Sequence, residues 1–162
     1  MTEKFEKTLN EENYLAIVEK IAKKYCGRPE DLVLLLHEVQ ALKNYLPCEA
    51  VNKVASIVNV PASQVYGVAT FYSMLSVKPR GRHIIRFCES TPCHVVGARE
   101  VLDTLLNYLG VEIGGTTTDE RFTVEKTSCL GVCAAAPVVM IDDTVYGNLD
   151  PNSLLEILTR YK

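Results

Sequence analysis

Through the first half of the chain, apolar residues recur at steps of three and four; in the second half they fall into shorter, alternating runs. Leu15, Val18, Ile21 and Ala22 share one face of a first predicted helix. Asn10 stands at its cap position, and Glu11 and Glu12 suit its positive end. Gly27 and Pro29 close that helix and open the next. Leu32, Leu35, Leu36, Val39 and Leu42 mark the second helix, which stops near Pro47. A third is predicted from Cys48 to Val58, and a fourth from Pro61 to Leu75. On the fourth, Val65, Val68, Ala69, Tyr72 and Leu75 form one stripe, while Tyr66, Phe71 and Met74 project elsewhere. A helix apolar on more than one face calls for burial on more than one face.

The run Lys78-Pro79-Arg80-Gly81-Arg82 interrupts this rhythm, and we place a domain boundary there: residues 1–79 as a helical bundle, 80–162 as a second domain. In the second domain, 83–87 (HIIRF) and 121–127 (RFTVEKT) read as strands, and 97–110 as a helix closed by Gly110. Residues 137–142 and 144–148 read as a hairpin. Residues 150–161 read as a helix with Asp150 as cap and Pro151 in its first turn. The order β-α-β-β-β-α predicts a small α+β layer structure.

Composition narrows the function classes. The chain has 162 residues, 48% of them hydrophobic, and a net charge of −3, which supplies no electrostatic footprint for nucleic acid. Val54–Val77 is uncharged but broken by Asn59, Pro61, Ser63 and Gln64, so it does not read as a membrane span. The polar leader MTEKFEKTLNEEN predicts neither a secretory signal nor a transit peptide, and the expected location is the cytoplasm. Cysteines there are more often free, metal-bound or catalytic than paired in disulfides. No phosphate-binding or dinucleotide glycine motif occurs.

The six cysteines carry the candidate chemistry. Cys88 and Cys93 form a C-x4-C pair, Cys129 and Cys133 a C-x3-C pair, and each pair follows a predicted strand. If the two strands run parallel, both loops lie at one sheet edge and four thiols converge. Read as one helix, 88–93 would splay its cysteines apart, and Pro92 pushes Thr91 toward extended backbone, so a loop is predicted. On spacing alone three readings stand. A [2Fe–2S] cluster suits the wide C-x4-C step. Zinc is common with four cysteines but favours C-x2-C. The third reading is unconnected thiols. The small residues Gly131, Ala134, Ala135 and Ala136 would let backbone N–H groups approach sulfur.

The string VYGVATFYSML…RFCESTPCHVVGA…FTVEKTSCLGVCAAAPVVMID resembles the 24 kDa-type [2Fe–2S] subunit of NADH dehydrogenase (complex I) and its relatives in soluble NAD-linked hydrogenases, including electron-bifurcating ones, and formate dehydrogenases. The resemblance runs from residue 35 to the last helix. It implies an N-terminal helical bundle followed by a thioredoxin-like ferredoxin domain. By position it implies cluster ligands Cys88, Cys93, Cys129 and Cys133. It implies one [2Fe–2S] cluster here, and FMN and a [4Fe–4S] cluster on a partner NADH-binding flavoprotein, with further hydrogenase or complex I subunits beyond. It also raises the question of a cis bond at Pro137. Val132 and Ala135 stand where relatives often have Ala and Asn.

The remaining residues read more simply. Cys26 and Cys48 fall outside the pattern and are expected to be packing or surface thiols; His37 is expected to be structural, and His94 solvated or beside the cluster. His83, Arg82 and Arg86 are expected to serve surface solvation. Two other functional classes remain open: a zinc-stabilised adaptor, and a DNA-binding helix-turn-helix over 54–72. Against the latter, residues 62–75 carry no charged side chain, whereas phosphate neutralisation needs Lys or Arg.

Overall fold

A computed structural model of the chain describes residues 11–25 and 28–161. Asn10, Cys26 and Gly27 lie outside these residues. The chain divides into two compact units, with the boundary between Pro79 and Arg80.

The first unit is all helical: α1 (Glu11–Lys24), a 3-10 turn at Pro29–Asp31, α2 (Leu32–Gln40), α3 (Cys48–Val58) and α4 (Ala62–Phe71). Its core gathers Tyr14, Val18 and Ala22 of α1, Leu35, Leu36 and Val39 of α2, and Val54 and Val58 of α3, with Val65 and Ala69 of α4. Asn59 ends α3 in the left-handed conformation (φ 58°), with its N–H donating to the Ala55 carbonyl. Helix α4 is shorter than the predicted Pro61–Leu75, and the buried Gln40 shows why. Its side-chain NH2 donates to the Met74 carbonyl (2.8 Å), and its side-chain oxygen accepts from the Ser76 N–H (2.7 Å). Satisfying a buried amide outweighs a further turn of helix, so the chain leaves α4 and runs past the end of α2. The predicted stripe breaks there: Leu75 is buried, but Tyr72 is 40% exposed.

The second unit is a four-stranded sheet with helices. Strands β1 (His83–Cys88), β2 (Phe122–Thr127), β3 (Val139–Ile141) and β4 (Thr144–Tyr146) lie in the order β2-β1-β3-β4. The β1–β2 pair is parallel, His83 opposite Phe122 and Cys88 opposite Thr127; the other pairings are antiparallel. Ile85, Phe87, Phe122, Val124, Val139 and Ile141 pack with α6 (Ala98–Leu109) and α7 (Pro151–Leu158) in one core. Helix α7 begins as predicted, with the Asp150 carboxylate accepting from the Asn152 and Ser153 amides.

The basic residues around β1 do more than solvate a surface. His83 Nδ1 lies 2.8 Å from the Asp142 carboxylate, and its ring meets Phe122 and Tyr161. Arg86 donates to the Asp142 carbonyl (3.3 Å). Arg80 forms a 2.7 Å ion pair with Glu125 of β2, its side chain only 10% exposed. Gly81 follows, where a Cβ would come within 2.9 Å of the Arg121 and Phe122 backbone. These contacts fix the entry into β1, and so the register that delivers Cys88.

Candidate metal centre

Parallel pairing of β1 and β2 brings both cysteine loops to one end of the sheet. Cys88 is the last residue of β1, Thr127 the last of β2, and Cys129 lies just beyond it. The Cys88 N–H donates to the Val138 carbonyl and the Glu89 N–H to Thr127, tying both loops to the strand ends.

The segment holding Cys93 departs from the loop expectation. Residues Thr91–Val95 form a short helix, α5, with Pro92 in its first turn, where a missing N–H leaves no hydrogen bond unmade. The extended residue is Ser90 (ψ 151°), one earlier than the proline rule suggests. Cys88 and Cys93 are not splayed apart, because only Cys93 is helical.

The thiols stand as two pairs. Cys88 and Cys93 are buried. Cys129 and Cys133 are exposed, with Sγ atoms 3.5 Å apart. Gly131, in the left-handed conformation (φ 81°), donates its N–H to Cys129 Sγ at 3.3 Å. This bond is the main influence holding the Cys129 thiol below its ordinary pKa. Burial opposes ionisation of Cys88, but the Ser90 and Leu130 amides outweigh it and lower its pKa. Burial pushes the Cys93 thiol up, and the hydrogen bond to Cys129 does the same for Cys133. Each pair thus contains one thiol whose pKa is lowered and one whose pKa is raised.

This donor set can be tested against the rival metals. Among the described residues, no three His, Cys, Asp or Glu side chains close on one point as a single ion requires. Four free thiols in two pairs, approached by backbone amides, fit a group with two metal centres better than one tetrahedral zinc.

The other candidates are placed elsewhere. Cys48 is exposed and accepts a hydrogen bond from Asn52, and His37 points to solvent. His94 is exposed and lines a cleft of ≈ 300 Å³ beside Cys88. The Ala136–Pro137 bond is cis. Two contributors were not found from the sequence. Ser90, at the N-cap of α5, is among the groups that lower the Cys88 pKa. Gly147 backs the Cys133–Ala135 turn, where a Cβ would lie 2.7 Å from Ala135 Cβ and carbonyl oxygen. Nothing in the residue pattern marks the Gly147 contact, which joins distant segments.

A small α/β domain places four free thiols at one end of its sheet. The particular family is shown by comparison: the chain belongs to the thioredoxin-like [2Fe-2S] ferredoxins, matching that family over residues 18–162. It is 41% identical over 130 residues to the NADP-reducing hydrogenase subunit HndA of Solidesulfovibrio fructosivorans, covering 80% of this chain and 76% of that protein. It is 42% identical over 124 residues to an NADH-quinone oxidoreductase subunit of Escherichia coli K12, covering 76% and 75%. Its fold is similar to part of an NAD+-reducing [NiFe]-hydrogenase structure in the air-oxidized state: TM-score 0.69, 23% identity, covering 80% of this chain and 23% of that one.

Proposed function

We propose that this chain is an electron-transfer subunit of an NAD(P)H-linked oxidoreductase complex, with one [2Fe–2S] cluster held by Cys88, Cys93, Cys129 and Cys133. The observation that carries the reading is the convergence of two thiol pairs at one end of parallel strands. When bound, the cluster takes up and returns single electrons. The chain's own residues set the terms. Two ferric ions, two sulfides and four thiolates would sum to about −2, made about −3 by one electron. The Gly131 amide donates to the Cys129 sulfur, and the Ser90 and Leu130 amides lower the Cys88 pKa, so both would soften that charge.

Hydride chemistry belongs to a partner, because this chain has no dinucleotide fingerprint. The partner is a flavoprotein carrying FMN and a [4Fe–4S] cluster, in either a soluble bacterial NAD-linked hydrogenase or a bacterial complex I. Support comes from relatives that are themselves parts of such complexes by name. Two uncharged surfaces suit such a partner. Around the thiols, residues 90–98 and 127–141 carry no Asp, Glu, Lys or Arg, and Val95, Val96 and Val132 are exposed. On the helical unit, Tyr66, Phe71 and Met74 are exposed in and just after α4, with Phe71 at 80%. We assign docking to the helical unit and cluster binding to residues 80–162. Among the described residues no helix is long and apolar enough to cross a membrane. Free thiols and this redox role suit the cytoplasm.

Metal and sulfide analysis tests the reading. Anaerobically purified protein should be brown, contain iron and acid-labile sulfide in equal amounts, and give an S = 1/2 signal on reduction. Stoichiometric zinc without sulfide would overturn it.

A further inference from the structure

The two thiol pairs differ in access and in freedom to move. Cys129 and Cys133 are exposed, with their sulfurs 3.5 Å apart. Cys88 and Cys93 are 2% and 1% exposed. A disulfide holds its sulfurs at about 2.0 Å, so the exposed pair needs to close by only about 1.5 Å. The segment between them can supply that movement. Residues 128–132 belong to no strand or helix, so no backbone ladder has to break. Gly131 lies within this segment, and a Cβ there would meet nothing within 4 Å, so the loop has open space beside it. Cys88, by contrast, ends β1, and its N–H donates to the Val138 carbonyl, so it moves only with the sheet.

We propose that Cys129 and Cys133 are a peroxide-oxidisable dithiol, which closes to a disulfide in the chain that lacks its metal centre and so withdraws two ligands from loading. The disulfide rests on the geometry of this pair; its effect on loading rests on the four-cysteine reading above. Hydrogen peroxide is the oxidant. It converts one thiol to a sulfenic acid and leaves as water. The neighbouring thiol then attacks that sulfur, the S–S bond forms, and the sulfenic oxygen leaves as a second water. Two thiols are oxidised and one peroxide is reduced. In the loaded protein both sulfurs are bonded to iron, so the reaction belongs to the chain before loading or after the centre is lost. A dithiol reductant returns both thiols by exchange through a mixed disulfide. Disulfides of reducing compartments are usually transient and redox-sensing, and this one fits that pattern.

The test adds hydrogen peroxide to the full-length chain after a chelator has removed its iron, then alkylates, digests with trypsin and weighs the peptides. The sequence sorts the outcomes. Cys88 and Cys93 fall in peptide 87–99 and Cys129 and Cys133 in peptide 127–160, each ending at an Arg and containing no other Lys or Arg. Peptide 127–160 should lose two hydrogens and escape alkylation, while 87–99 is alkylated on both cysteines. A disulfide within 87–99 in equal yield, the two peptides joined, or 127–160 fully alkylated would overturn the proposal. In urea the difference in exposure is gone, and the two peptides should oxidise alike. The same preference in urea would trace it to spacing and overturn the geometric argument. Iron and sulfide should load the reduced chain at once, and the oxidised chain only after a lag that dithiothreitol abolishes. Identical time courses would overturn the effect on loading. A chain that never holds iron and sulfide would sink the four-cysteine reading, and the peptide map would still decide the disulfide. A loaded chain that, once stripped, leaves 127–160 fully alkylated after peroxide would sink this inference alone.

Discussion

Cys129 and Cys133 hold their sulfurs 3.5 Å apart as free thiols, and the glycine between them aims its amide at the first. A Cβ at Gly131 would meet no atom within 4 Å, so space does not require glycine there. Its φ of 81° does. Alanine in that conformation costs about 1–2 kcal/mol. We expect Gly131→Ala to lower thermal stability by that order and to weaken the bond to Cys129. The cluster should then be lost faster on dilution into a chelator, with the visible spectrum as readout. Unchanged stability and unchanged loss rate would remove Gly131 from the site.

Ligands and bystanders separate by substitution. Serine at Cys88, Cys93, Cys129 or Cys133 should abolish or grossly alter the cluster spectrum. Serine at the exposed Cys48, or at Cys26, should leave it intact. A colourless Cys48→Ser protein beside a fully loaded Cys88→Ser protein would reverse the assignment.

Gly147 offers a test that touches no ligand. Its Cβ would overlap Ala135, and the Asn148 amide is bonded to the Ala135 carbonyl (2.5 Å), so the turn after Cys133 cannot retreat cheaply. Overpacking of this kind costs about 1–3 kcal/mol. Gly147→Ala should therefore reduce cluster occupancy as well as stability. Gly67→Ala, in the middle of α4 with open space around it, should be neutral or stabilising by about 0.5–1 kcal/mol. Equal iron content in the two variants would show that the contact does not support the site.

Docking can be tested without cutting the chain. Aspartate at Phe71 and Met74, both exposed, should leave the spectrum unchanged but weaken co-elution with the flavoprotein at least tenfold, about 1.4 kcal/mol. Full co-elution would move the interface away from this end of the helical unit.

The Asp150 cap predicts a pH signature. Hydrogen bonds from the Ser153 and Asn152 amides hold its carboxyl below the ordinary 3.8. A depressed carboxylate stabilises the fold above its unfolded pKa, and that contribution disappears as pH falls through the folded value. The difference in melting temperature between wild type and Asp150→Ala should stay constant from pH 7 to 5 and narrow below about pH 3.8. A gap that widens on acidification would contradict the sign.

Much of this was legible along the chain, for physical reasons. The α3 range, the Gly110 stop and the Asp150 cap are local signals, written in neighbouring residues. The ligand candidates were legible because the cysteines follow two strands whose parallel pairing the structure shows. What escaped depends on distant partners. Gln40 ends α4 early by bonding residues more than thirty positions away. Asp142 recruits His83 and Arg86 from another strand, so these did not remain surface solvation. At α5 a local rule was outweighed: Ser90 took the extended conformation expected of Thr91, and Pro92 entered a helical first turn.

The parallel β1–β2 pairing has a consequence for folding as well as for redox chemistry. Cys88 and Cys129 end adjacent strands but are far apart along the chain. A cluster bonded to both closes a loop of about forty residues, which on chain-entropy grounds destabilises the unfolded ensemble by about 4 kcal/mol. On the four-cysteine reading, the inorganic core is also a cross-link, in a domain that has no disulfide among its described residues. Oxidative loss of the cluster would then remove a brace along with an electron carrier, and a redox lesion would become a problem of protein turnover.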